Sequence, residues 1–147
     1  MAFITGKFQS NNLDDTRTIA SNLAKEIKSS TVFAFYGDLG AGKTTFIQTV
    51  LRFFGIPSHQ IQSPTFSYLH TYEDLKNDTA IHHFDLYRLK SKQDFLSLGF
   101  EEYLESNDVC FIEWAEKIDE ILPLNKTVKI KINSISELKR EIEITNA

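Results

Sequence analysis

Apolar residues fall along the chain in blocks of two kinds. Val32, Phe33, Ala34, Phe35 and Tyr36 form one continuous run, and Val109, Cys110, Phe111 and Ile112 form another. Runs of that length with no polar face are the pattern of strands covered on both sides in a parallel sheet. The other blocks are periodic. Ala20, Leu23, Ala24 and Ile27 recur at helical spacing behind the cap candidates Ser10, Asn11 and Asn12 and the acidic pair Asp14 and Asp15. This predicts a helix running through Lys28 that packs on the sheet. Phe46, Ile47, Val50, Leu51 and Phe54 mark one face of a second helix, from Lys43 to Gly55. Phe95, Leu98, Phe100, Tyr103 and Leu104 lie in a helical patch opened by the polar residues 91–94. Residues 65–72 and 79–84 read as strands joined by turn-forming residues 73–78, and two strands so closely joined are expected to be antiparallel. Val128, Ile130 and Ile132, then Leu138, Ile142 and Ile144, predict a closing hairpin around residues 134–137, and residues 3–9 read as a short edge strand. The fold class is α/β, with one antiparallel departure from pure βαβ alternation.

At 147 residues, with no repeat, linker or low-complexity segment, the chain fits one domain over residues 1–147. A net charge of −4 argues against a protein that grips nucleic acid mainly through its own phosphate contacts, because such binding needs clustered Lys and Arg. Cys110 is the only cysteine, which excludes an internal disulfide, and its apolar neighbours favour a buried core thiol over a nucleophile. No stretch approaches the ~20 apolar residues of a membrane span, and the N-terminus has no apolar leader core. The reading is a soluble cytoplasmic protein with no membrane role.

The chemistry concentrates where the first apolar run ends. Gly37-x-x-x-x-Gly42-Lys43-Thr44 matches the Walker A pattern at every fixed position, between a predicted strand and a predicted helix. Gly37, Gly40 and Gly42 free the backbone to point successive N–H groups into one concavity, an anion cradle. A helix opening at Lys43 adds its positive end; Lys43 can reach terminal phosphates and the Thr44 hydroxyl can ligate Mg²⁺. Thr45 is a first-turn residue whose hydroxyl can touch a phosphate. A nucleoside triphosphate site follows.

Such a site needs a carboxylate from a neighbouring strand to complete the metal shell. Asp85, after the strand interrupted by His82 and His83, and Glu113, at the end of the second apolar run, compete for that role, and both can serve, one at the metal and one at the attacking water. The alternatives are a helix cap for Asp85 and a surface acid for Glu113. His83 reads as a packed or surface histidine, since Mg²⁺ prefers oxygen ligands. Trp114, the single tryptophan, suits a pocket wall, a partner surface or the core.

Taken together, GDLGAGKTT (residues 37–45), SPTF (63–66), HFDLYRL (83–89) and EW (113–114) occur in the order and spacing of the TsaE family, also called YjeE, and the chain resembles that family over nearly its whole length. The resemblance implies a P-loop NTPase domain on a mixed central sheet flanked by helices. It implies ATP at the loop residues Asp38, Leu39, Gly40, Ala41, Gly42, Lys43, Thr44 and Thr45, with Lys43 on the phosphates, Thr44 on Mg²⁺, and Asp85 and Glu113 at the metal and catalytic positions. Residues 63–66 would form a switch-like segment near the γ-phosphate, with Thr65 its contact, and Trp114 would lie beside the catalytic site. It further implies an ATPase serving threonylcarbamoyladenosine formation in tRNA with TsaB and TsaD partners, to which the tRNA contacts would belong. One departure is Ala115, where many relatives carry proline.

Three rival readings make different demands. A G protein selects guanine with an Asn-Lys-x-Asp carboxylate, but Asn125-Lys126-Thr127 ends in Val128, which accepts no N–H bonds. A small-molecule P-loop kinase closes an arginine-bearing lid, and of Arg17, Arg52, Arg88 and Arg140 only Arg88 looks well placed. A non-catalytic switch would bind ATP without turnover.

Overall fold

The two continuous apolar runs lie side by side at the centre of the sheet. The structure, a computed structural model, describes residues 5–27, 30–74 and 79–147. Its strands are β1 (Gly6–Ser10), β2 (Val32–Tyr36), β3 (Leu69–Asp74), β4 (Thr79–Asp85), β5 (Val109–Glu113), β6 (Thr127–Ser134) and β7 (Arg140–Asn146). They form one seven-stranded sheet in the order β1-β7-β6-β2-β5-β4-β3. The inner strands β6, β2, β5 and β4 pair in parallel, whereas β3 on one margin and β7 with β1 on the other pair antiparallel. The sheet is therefore mixed. The helices are α1 (Leu13–Ala24), α2 (Lys43–Phe53), α3 (Lys92–Ser97) and α4 (Glu101–Glu105), supplemented by 3₁₀ turns at Ser58–Gln60, Ala115–Ile121 and Leu124–Lys126.

Side-chain alternation along the central strands divides the core into two layers. Phe33 and Phe35 of β2, Ile81 of β4 and Val109 and Phe111 of β5 face α1 and α2, packing with Leu23, Phe46, Ile47 and Val50. Phe33 and Phe111 stack at 5.2 Å between centroids. Val32, Ala34, Phe84, Cys110 and Ile112 face the other way, onto Phe95 of α3, Leu104 of α4 and Ile118. The same parity carries beyond the apolar residues. His83 and Asp85 share the face of Ile81, and Glu113 shares that of Phe111, so all three point toward the α2 layer.

The predicted elements stand with shifted edges. Asn12 caps α1 by accepting from Asp15 N at 2.8 Å, but the helix ends at Ala24, and Lys28 lies outside the described residues. The edge strand is present as β1, beside β7, while Phe3 lies outside the described residues. The strand expected from residue 65 starts only at Leu69. Tyr68 has a φ of 67°, which a strand cannot continue through, and its N–H closes a turn on Pro64 O at 2.7 Å. Leu138 is not in a strand either: Ile135 N and Ser136 N both turn back to Lys139 O, and β7 starts after that turn. Among the described residues no helix is long and apolar enough to cross a membrane.

Phe111→Ala is expected to lose about 3–5 kcal/mol in urea unfolding, because it empties the stacked layer beneath α2, whereas Phe66→Ala, at an 82% exposed position, changes stability by less than about 0.5 kcal/mol. Burial pushes the Cys110 thiol up to about 12, with Lys126 opposing and Asp108 reinforcing the shift. In a thiol-reagent assay at pH 8, Cys110 should react only after denaturation.

Candidate functional site

The glycine loop follows from how β2 ends. Gly37 has a φ of 153°, and a Cβ there would sit 2.5 Å from Ile132 O, so the loop leaves the sheet pressed against β6. Gly42, at a φ of 109°, starts α2 in a left-handed conformation. Among the described residues no side chain caps that helix, which leaves its first-turn amides facing the loop. Arg140 fastens the loop from outside: its Nε donates to Ala41 O at 2.9 Å and its guanidinium reaches Gly40 O at 3.4 Å, while a second branch donates to Ser136 O at 2.8 Å.

The acids arrive from parallel neighbours in register. Asp85 of β4 stands opposite Glu113 of β5. Glu113 is 2% exposed; its Oε1 accepts the Thr44 hydroxyl at 2.6 Å and its Oε2 meets His83 Nε2 at 2.7 Å. Asp85, 6% exposed, accepts the Thr65 hydroxyl at 3.0 Å on Oδ2 and Tyr87 N on Oδ1 at 3.0 Å. Asp85 thus caps a two-residue turn and not α3, whose cap is Ser91. Burial equally excludes Glu113 as a surface acid.

Lys43 is 4% exposed, donates to Gly37 O and to Asp38 O at 3.2 Å, and lies 3.8 Å from the centre of the Trp114 ring. Burial lowers its pKa below the usual lysine range, and the carboxylates of Glu113, Glu116, Asp85 and Asp38 push it back up. Trp114 has a left-handed backbone, φ 61°, a conformation costly for a bulky residue and concentrated at functional sites. That bend aims its indole toward Tyr87, 5.1 Å between ring centroids.

These residues surround one open cleft of about 400 Å³ at the carboxyl ends of β2, β4 and β5, the usual ligand position in an α/β sheet. Asp38, Leu39, Gly40, Ala41, Gly42, Lys43, Thr44, Thr45, Thr65, Asp85, Glu113 and Trp114 all line it, joined by Ser63 and Tyr87. Among the described residues no group of three or more His, Cys, Asp or Glu side chains could hold a metal ion alone. The oxygens of Thr44, Asp85 and Glu113 suit Mg²⁺, which keeps waters and takes phosphate oxygens to complete its shell.

The family model described as threonylcarbamoyl adenosine biosynthesis protein TsaE matches residues 10–142. The chain belongs to the TsaE family. It is 39% identical over 132 residues to the tRNA threonylcarbamoyladenosine biosynthesis protein TsaE of Rickettsia felis, covering 88% of this chain and 74% of that protein. To the protein of the same name from Bacillus subtilis it is 35% identical over 139 residues, covering 95% and 84%. Among solved structures, the crystal structure of Bacillus subtilis YdiB matches with a TM-score of 0.75 and 30% identity over 100% of this chain and 89% of YdiB.

Within this TsaE chain, three residues depart from the reading of the sequence. Arg88 does not line the cleft; its guanidinium lies 4.4 Å from the centre of the exposed Phe66 ring. Arg140 takes the loop contact instead, from a position some hundred residues away that no local pattern marks. His83 is neither on the surface nor merely packed: it meets Glu113 Oε2, a contact that neither its place in the strand beside His82 nor its place in the motif of residues 83–89 specifies.

Gly37→Ala should cost about 2 kcal/mol or more in chemical denaturation, since the added methyl meets backbone and not a yielding side chain. Arg140→Ala is expected to cost about 1 kcal/mol and to speed amide exchange in residues 40–43, because the bonds holding Gly40 O and Ala41 O are lost.

Proposed function

We propose that this chain is an Mg²⁺-dependent ATPase of threonylcarbamoyladenosine biosynthesis in tRNA, acting with TsaB and TsaD partner proteins. Family membership gives the pathway. The reading of hydrolysis rests on one observation: two buried carboxylates, an ammonium and a hydroxyl converge on a glycine loop that opens a helix.

The backbone amides of residues 40–45 cradle the phosphates at the start of α2. Lys43 exchanges its bonds to Gly37 O and Asp38 O for phosphate oxygens, so its charge is stored in the cleft before ligand arrives. Thr44, Asp85 and Glu113 would hold the metal, which would supply a Lewis acid to draw charge from the phosphate oxygens. Asp85, oriented by Thr65 and by Tyr87 N, aligns the attacking water. Trp114 and Tyr87 pack against each other and form one wall of the cleft.

Selection of ATP over GTP is supported by the position of Asn125 and Lys126. They precede β6, whose first residue pairs with the start of β2, at the opposite end of the sheet from the glycine loop. A small-molecule kinase is disfavoured because Arg88 is turned onto Phe66 and no arginine lines the cleft.

Lys43→Ala should weaken ATP binding in calorimetry and reduce phosphate release by at least about 10²-fold while leaving the circular dichroism spectrum intact. Unchanged turnover in that variant would refute the role. Phosphate release measured with and without TsaB, TsaD and tRNA tests the assembly, with stimulation expected only when the partners are present. In thermal-shift titration, ATP should raise the melting temperature and GTP should not.

A further inference from the structure

His83 has no part in the mechanism just described, yet its position calls for a reason. It sits on β4 two residues before Asp85, fully buried, and its contact with Glu113 runs diagonally across the β4–β5 pair. Its Nδ1 is buried and has no hydrogen-bond partner among the described residues. A buried ring nitrogen left unpaired costs stability that a leucine at the same position would not. The neighbouring His82 has no such deficit: on the opposite face, its two nitrogens meet Thr71 Oγ1 and Asp108 Oδ2, both at 2.9 Å. Among the described residues, the single polar contact of His83 is the carboxylate at the centre of the cleft.

We propose that His83 is a positioning residue for Glu113. Nε2 is the ring nitrogen that faces Glu113 Oε2, and Nδ1 meets no acceptor among the described residues, so the N–H that the carboxylate receives is the one on Nε2. A glutamate held by one oxygen pivots about that bond. Held by Thr44 on one oxygen and His83 on the other, both the location and the plane of the carboxylate are set. His83 anchors the oxygen farther from Thr44, so Glu113 stays aimed when Thr44 turns its lone pairs to the metal. The inference rests on the reading of the cleft as a magnesium–ATP site.

Three variants test it. His83→Leu removes the donor, His83→Gln keeps an amide N–H at the reach of Nε2, and His83→Asn leaves its amide short of it. ATP affinity is measured by calorimetry in EDTA and in magnesium, turnover by phosphate release, and the His83 ring by ¹⁵N NMR in nucleotide-free protein. His83→Leu should bind ATP in EDTA as the wild type does, lose about tenfold in magnesium-dependent affinity or turnover, and His83→Gln but not His83→Asn should recover to within about threefold. The assignment is overturned if His83→Leu keeps wild-type magnesium dependence and turnover, or if the Gln and Asn variants behave alike. Should His83→Leu fail to fold, the Gln–Asn comparison decides alone. If the wild type binds no ATP, the ATPase reading falls and the ring resonance still decides the contact: Glu113→Gln must shift the His83 Nε2 signal, and an unshifted signal refutes it.

Discussion

The parallel register of β4 against β5 is the constraint on which the cleft depends. With Ile81 opposite Val109, Asp85 comes opposite Glu113 and both carboxylates leave the sheet at its carboxyl edge. A slip of β4 by one residue would turn His83 and Asp85 toward α3 and α4, away from Glu113 on β5, and bring His82 and Phe84 to the α2 face. The register is held by the apolar residues between those acids. Phe111 and Ile81 pack under α2 while Phe84 and Ile112 pack under α3, so neither face can accept the slipped pattern.

Gathering two carboxylates, an imidazole and an ammonium in one buried region opposes folding, because each charged group gives up water. What offsets that is their mutual satisfaction. Glu113 has a partner on each oxygen, as does Asp85, and Lys43 is bonded to two loop carbonyls and covered by the Trp114 ring. The lowered lysine pKa records the residual burial cost after the surrounding carboxylates have acted. The strained backbone of Trp114 is part of the same arrangement, since the bend brings its indole over the ammonium.

Much of this was legible in the sequence because it is local. The glycine loop, the two apolar runs and the acids ending their strands are read from consecutive residues, and a buried parallel strand tolerates few other patterns. Residues 65–68 misled for the converse reason. Their composition suits a strand, but Thr65 is drawn to Asp85, twenty positions on, and the turn at Tyr68 is what lets it reach. The partners of Arg140 and His83 were illegible because they are set by sheet order, and a polar residue in a strand does not announce which carboxylate or carbonyl it will meet.

The sheet margin has a bearing on the loop that its distance from the cleft conceals. Ser10 of β1 pairs in register with Arg140 of β7, and Arg140 is the residue that tethers Ala41 O. Edge strands fray before central ones. Arg140 is backed on both sides, by Ser10 of β1 and Ser134 of β6, so fraying of β1 would remove one of the two strands that hold the tether, without touching any residue that lines the cleft. Part of the cradle's support thus comes from the periphery of the molecule.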